Sequence, residues 1–295
     1  MTNYGPSQGG VSSSGLPREP LDVAVIGAGR VGCSIARALA ARDHRIVAVS
    51  VAQQSSAQRV LEVLGKVPIA DPEDASLGAT VVVLAVPDDA LAQTAQRVSK
   101  GLREGAVVVH TSGISGTDVL AACGPNVAAI HPAQTIPEPT TGLTDVYFAI
   151  TAPESMREWS WWFVGELGGL PIDVREDERA LYHAALSIAS NFTVALAGDA
   201  ADLLGKPEAL APLIRQTVDN VIRLGADAAL TGPIVRGDAG TVRAHIAALT
   251  AKAPHLLEAY IANARRTLDR AVKAKRIEPA KARAVAEALE EAMVR

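Results

Sequence analysis

Six residues, Gly27-Ala28-Gly29-Arg30-Val31-Gly32, have the types and the spacing to hold a diphosphate. They follow the β-branched run LDVAVI and precede the helix-like CSIARALAAR, so backbone N–H groups and the positive end of a helix dipole would meet at one point. In that frame Gly27 lets the chain turn sharply, Gly29 clears space for a diphosphate, and Gly32 lets the helix pack close on the strand. The implied chemistry is dinucleotide binding. An NAD site carries Asp or Glu about 20 residues onward, at the end of the second strand. Here that strand ends Val47-Ala48-Val49-Ser50-Val51-Ala52 without an acid, and Asp43 precedes it in the turn Arg42-Asp43-His44. Ser50, Ser55, Ser56 and Arg59 offer donors and charge to a 2′-phosphate, so the expected cofactor is NADP(H). Val86, Pro87, Thr111 and Ser112 end two further β-branched runs, and ligands of open α/β sheets collect outside the carboxyl ends of the strands.

A second set could carry out proton transfer. His183, Ser187 and Asn191 fall at i, i+4 and i+8, along one stripe of an otherwise apolar helix. An imidazole titrates near neutral pH and can donate a proton to a carbonyl oxygen, while Ser187 and Asn191 can hold the substrate by hydrogen bonds. The alternative is a polar stripe satisfied by neighbouring helices or by a second subunit. In Thr231-Gly232-Pro233-Ile234-Val235-Arg236-Gly237-Asp238, Arg236 offers a planar fork for a carboxylate, and Asp238 either caps the next helix or orients Arg236. His131, after the apolar stretch VAAI, can reach the same crevice as Ser112, and both are candidates for substrate binding.

The elements that must position these groups are legible as an alternation of short strands and longer Ala/Leu-rich helices. The strand runs span 21–27, 45–51, 80–86 and 106–112, with two more at 145–151 and 170–176 around a stretch carrying Trp159, Trp161 and Trp162. Beyond Asp177 the strand signal stops and helical composition takes over. The expected fold is an α/β Rossmann domain, doubly wound with a mostly parallel sheet, over residues 21–178, and an all-α domain over 179–295. Residues 1–20, rich in Gly, Ser and Pro, read as a disordered tail. Tyr182 to Leu204 is apolar on most sides, which predicts a helix buried all round, in a core or between two subunits.

The chain has 295 residues, 48% of them hydrophobic, and a net charge of −4 without a long basic run, so nucleic acid is not an expected partner. Cys33 and Cys123 are the two cysteines, too few for a disulfide framework. No stretch gives about 18 uninterrupted apolar residues, so a cytoplasmic protein without a membrane segment is expected.

The segments GAGRVG, AVPDDAL, HTSG, IHPAQT, YHAALSIASN and GPIVRGD resemble a family of bacterial Rossmann-like proteins with a conserved C-terminal domain of unassigned function. That family is similar to the 6-phosphogluconate and 3-hydroxyacid dehydrogenase superfamily, and some of its kind resemble alternative 2-dehydropantoate reductases. The resemblance implies a Rossmann domain followed by a helical one, NADPH-dependent reduction of a small 2-oxo acid, and a homodimer formed through the helical domain. Ketopantoate reductases carry Lys, Asn and Asn spaced four apart on a helix where this chain has His183, Ser187 and Asn191, so the proton donor departs from the pattern. Reduction of an imine, oxidation of a hydroxy acid, or an NADP(H)-sensing dimer without turnover remain open on the residues alone.

Overall fold

The computed structural model describes residue 16, residues 19–53 and residues 55–292. Most of the expected tail therefore lies outside the described residues. The chain divides into two compact units, one ending at Ser190 and the other starting at Asn191, where the sequence reading placed the boundary at 178/179.

In the first unit, β1 (Asp22–Ile26), α1 (Arg30–Ala40), β2 (Arg45–Ser50), α2 (Ser55–Leu64), the short α3 (Pro72–Ala75), β3 (Val81–Leu84), α4 (Asp88–Val98) and β4 (Val107–His110) come first. They are followed by β5 (Val127–Pro132), β6 (Tyr147–Thr151), α5 (Glu154–Glu166), β7 (Leu170–Asp173) and α6 (Arg179–Ala189). The seven strands form one sheet in the order β2-β1-β3-β4-β5-β6-β7. All neighbours are parallel except β5 and β6, which are antiparallel. The VAAI stretch before His131 is thus a strand of its own.

Alternation along the strands builds two cores. Val23, Val25, Val81, Val83, Val107 and Val109 point to one face, where Ile35 and Leu39 of α1 and Phe163 and Val164 of α5 cover them. Ala24, Ile26, Val82, Leu84 and Val108 point to the other, under Leu91, Ala95 and Val98 of α4. Both faces being covered, β3 and β4 are buried along their whole length and read as continuous Val runs. Trp159 stacks on Phe163 with ring centroids 5.0 Å apart, and Trp159 and Trp162 pack against the first of these cores. β1 has β2 on one side and β3 on the other, so the chain reverses direction across the sheet at β1/β3, the switch point where such sheets open a crevice.

The second unit comprises α7 (Asn191–Leu204), α8 (Ala211–Leu224), the short α9 (Ala226–Ala229) and α10 (Pro233–Arg236), then α11 (Ala239–Lys252), α12 (Leu257–Lys273) and α13 (Pro279–Glu291). Its core joins Val242 of α11, Ala264 and Leu268 of α12, and Val285, Ala288 and Leu289 of α13. α7 and α8 bury no residue at all. The helix expected over Tyr182–Leu204 is broken at Ser190 into α6 and α7, and its apolar side chains are exposed rather than packed in a core: Ile188, Phe192, Val194 and Leu196 all face outward. By length and mean hydropathy alone, Glu176–Leu204 contains an 18-residue window apolar enough to cross a membrane, although charged residues interrupt the span and it breaks at Ser190.

Candidate functional site

The loop after β1 is fixed by backbone bonds. The N–H groups of Gly27 and Ala28 both donate to the Ser50 carbonyl at the end of β2, at 3.0 and 2.9 Å. Gly27 has φ +91°, and a Cβ there would lie 2.5 Å from the Ala85 carbonyl oxygen, so only glycine lets the ends of β1 and β3 come this close. A Cβ on Gly32 would meet the Gly27 carbonyl oxygen at 2.4 Å, which is the price of seating α1 against β1. Gly29 differs from both: a Cβ there would meet nothing within 4 Å. It is also the N-cap of α1, with no side-chain cap and no acid in the first turn. The first-turn amides of α1, from Arg30, Val31 and Gly32, lack intrahelical acceptors by helix geometry, and they face this clear space with a positive helix end.

A cleft of about 480 Å3 opens beside the loop, bordered by Gly27, Ala28, Gly29, Ser50, Ala85, Val86 and Pro87. Ser56 lines it as well, and Arg59 in α2 is near enough for its charge to act on the Cys33 thiol. Ser50 is buried, and the side chain of Ser55 lies outside the described residues. The sequence reading missed two charged groups here. Asp71 is carried to the cleft by the parallel bridge between Val49 and Ile69, and Arg97 reaches it from α4 while holding Glu73 in two 2.7 Å bonds. Nothing in the spacing of residues 51–71 announces that bridge. Asp43, with φ +65°, sits before β2 at the opposite end of the sheet.

The neighbouring strand ends hold a second constellation. His110, the last residue of β4, is fully buried; its Nδ1 accepts the Ser112 N–H at 3.1 Å and its Nε2 donates to the Gly116 carbonyl at 2.8 Å. Burial pushes its pKa down to about 4, so it is a neutral pin for the turn at 110–116. Ser112 also serves that turn, since its hydroxyl accepts the Ser115 N–H at 3.0 Å. Thr111, partly exposed, is held to β3 by its N–H on the Leu84 carbonyl.

Above Gly113 two imidazoles converge. A Cβ on this buried glycine would be 3.0 Å from His131 Nε2, 3.1 Å from His183 Nε2 and 2.5 Å from His183 Cδ2. The two rings stand edge-on, with centroids 5.9 Å apart. His131 Nδ1 is 2.8 Å from the Tyr182 hydroxyl. Burial first, and then the positive charge of Arg179, press the His131 pKa down to about 4, and burial lifts that of Tyr182 to about 12. Because β1, β3, β4 and β5 are parallel, this cluster lies at the same carboxyl-end side of the sheet as the cleft.

Arg179 is the residue that sequence reasoning overlooked most completely. It opens α6, is 0% exposed, and donates through Nη1 to Thr151 Oγ1 at 2.9 Å and through Nη2 to the Ser112 carbonyl. Its Nε has no partner, and among the described residues no carboxylate pairs with it. In the run Glu176-Asp177-Glu178-Arg179 it reads as a surface ion-pairing residue, but Arg175 takes Asp177 and Glu178. The structure thus brings His183, His131, Ser112 and Thr111 together and adds Gly113, Tyr182 and Arg179. Ser187 lies one turn beyond His183 on α6. Asn191 and Arg236 belong to the second unit, where Asp238 caps α11 by accepting the Thr241 N–H at 3.0 Å.

Residues 7–132 match the family described as a Rossmann-like domain, and residues 146–267 match the domain of unknown function DUF2520. The chain therefore combines a Rossmann-like domain with a DUF2520 domain. Among solved structures it is similar to a "putative NADP oxidoreductase" from Bacteroides fragilis, at 25% identity and TM-score 0.76, covering 84% of this chain and 98% of that one. It is also similar in fold to a pyrroline-5-carboxylate reductase from Coxiella burnetii, at 19% identity and TM-score 0.53, over 94% and 98% of the two chains. An imine reductase from Streptomyces aurantiacus matches at 17% identity and TM-score 0.52, over 92% and 93%. No curated protein matches the chain.

Proposed function

We propose that the protein is an NADP(H)-dependent oxidoreductase that reduces the carbonyl of a small 2-oxo acid, with 2-dehydropantoate as the first substrate to test. The observation that carries this reading is the convergence of two imidazole Nε2 atoms over Gly113, at the carboxyl-end side of the sheet that also holds an uncapped glycine loop. The loop suits a diphosphate: Gly29 leaves clear space, and the first-turn amides of α1 have no side chain of their own to satisfy them. Ser50, Ser56 and Arg97 in the cleft, Arg59 nearby and no acid ending β2 favour a 2′-phosphate, against the charge of Asp71 and of the Glu73 carboxylate that pairs with Arg97. When bound, the reduced nicotinamide supplies a hydride to the carbonyl carbon. His183 and His131 hold the carbonyl oxygen and bear the proton it takes up, while the buried charge of Arg179 beneath the Ser112–Gly113 turn favours an anionic substrate. The test is NADPH oxidation by the purified protein against 2-oxo acids including 2-dehydropantoate and against a cyclic imine. Turnover of an oxo acid supports the reading; turnover of the imine alone, or tight NADPH binding with no turnover, replaces it by an imine reductase or a nucleotide sensor.

The same proposal includes a homodimer through the helical unit. Phe192, Val194, Leu213 and Ile222 are between 58% and 78% exposed on helices that bury nothing, a larger apolar display than a monomer usually carries. A two-fold axis lets such a patch cover itself with a second copy. Asp199 and Asp202 on α7 argue against lipid as the cover. Light scattering at micromolar concentration is expected to give twice the chain mass, and a monomer would overturn the dimer.

A further inference from the structure

Resting on that reading, we propose that Tyr182 is a positioning residue: its hydroxyl fixes His131 as the Nε2–H tautomer and returns to Nδ1 the proton that His131 gives up. Among the described residues the phenol has one hydrogen-bond partner, His131 Nδ1 at 2.8 Å, and that ring's other nitrogen is directed over Gly113. If Nδ1 carried the proton, the half-buried phenolic hydrogen would have no protein acceptor among the described residues and would depend on water at the exposed side of the ring, a weaker arrangement than the direct bond to Nδ1. With the hydroxyl donating, Nδ1 is the acceptor and Nε2–H faces the reaction zone, the arrangement in which an oriented imidazole serves as an acid.

A neutral imidazole that loses its Nε2 proton would become an imidazolate unless Nδ1 is protonated at the same time. The Tyr182–His131 bond supplies that second proton. As negative charge develops on the substrate's carbonyl oxygen, the bond from Nε2 to hydrogen breaks and the substrate O–H forms. The Tyr182 O–H breaks as Nδ1–H forms. The imidazole ends neutral, as the other tautomer, and the negative charge rests on the phenolate; burial disfavours that charge and Arg179 offsets part of the cost, so the phenolate is short-lived. Tyr182 is partly exposed, so water reprotonates it. The charged or titratable groups acting on this pair are Arg179, His183, His110, Asp88 and, through Arg179, Glu176.

The test uses Tyr182→Phe, with His131→Gln to assign the resonance. In nitrogen-15 spectra of the imidazoles of the full-length, ligand-free protein, His131 is expected as the Nε2–H tautomer with a hydrogen-bonded Nδ1, and Tyr182→Phe is expected to mix the two tautomers. A wild-type Nδ1–H tautomer, or a His131 signal unmoved by Tyr182→Phe, overturns the proposal whether or not a substrate is found. With 2-dehydropantoate or the oxo acid that is turned over, Tyr182→Phe is expected to lower kcat about 100-fold with KM within threefold. Its effect should vanish in the His131→Gln background; independent, multiplying effects overturn the relay. Wild-type inactivity toward every oxo acid counts against the reductase reading alone, since the tautomer result still decides the Tyr182–His131 device.

Discussion

Two regions share the carboxyl-end side of the sheet and are built in opposite ways. The loop after β1 is made by backbone within six residues; Gly27 and Gly32 are required by positive φ or by contacts as short as 2.4 Å, while Gly29 leaves open space. The cluster over Gly113 is made by side chains from β4, β5 and α6, with Arg179, Tyr182 and His183 arriving some 70 residues after Ser112 in the chain. A site that backbone geometry dictates leaves a compact signature in sequence. A site assembled by tertiary contact leaves scattered residues whose partners only the fold reveals.

The sharpest way to break this contrast is at the glycines. Gly32→Val places a branched side chain against the Gly27 carbonyl and is expected to cost about 3 kcal/mol or more, read by chemical denaturation. Gly29→Ala, in open space, should leave stability within about 0.5 kcal/mol. It should nevertheless weaken NADPH binding about tenfold or more, because the methyl occupies the diphosphate's place. Equal damage to stability from both would mean that the loop is structural only.

Acid should act on the other region. His110 and His131 are held neutral with pKa values near 4, below the ordinary 6.5, so the unfolded chain binds more protons between these values. Stability is therefore full above about pH 6.5 and falls as pH drops toward 4, by up to about 3 kcal/mol for each histidine. His110→Asn should flatten that slope in a denaturation series across pH; an unchanged slope would place the acid sensitivity elsewhere. Gly113→Ala forces both imidazoles away and is expected to lower turnover about 100-fold with NADPH affinity unchanged. A parallel loss of nucleotide binding would show that the two regions are not separable. The smallest effect is at the end of β2: Ser50→Asp should shift preference toward NADH by about tenfold, measured as a ratio of Kd values.

The same contrast explains what could be read in advance. Strands β1, β3 and β4 are legible because both faces are buried and each is a Val-rich run bounded by turn residues, and β2, at the sheet edge and buried only in its second half, keeps the same apolar run. β5 was seen only as the stretch VAAI, since its alanines carry little strand signal and it closes on Pro132, which has no N–H to give a ladder. His131, His183 and Ser112 were picked out as polar groups in apolar surroundings, and the fold gathers them. Arg179 and Arg175 stand four residues apart in the same acidic run, yet one is buried and the other holds the acids in solvent. No local pattern separates them. The break at Ser190 is equally silent, because the apolar pattern runs through it from α6 into α7 and neither helix gains a glycine or proline there.

The central claim is that the glycine loop and its cleft take a phosphorylated pyridine dinucleotide. Isothermal titration of the purified protein with NADPH and with NADH tests it most directly. The account predicts a measurable heat with a Kd on the order of micromolar for NADPH and binding at least about tenfold weaker for NADH. No heat with either nucleotide would contradict it.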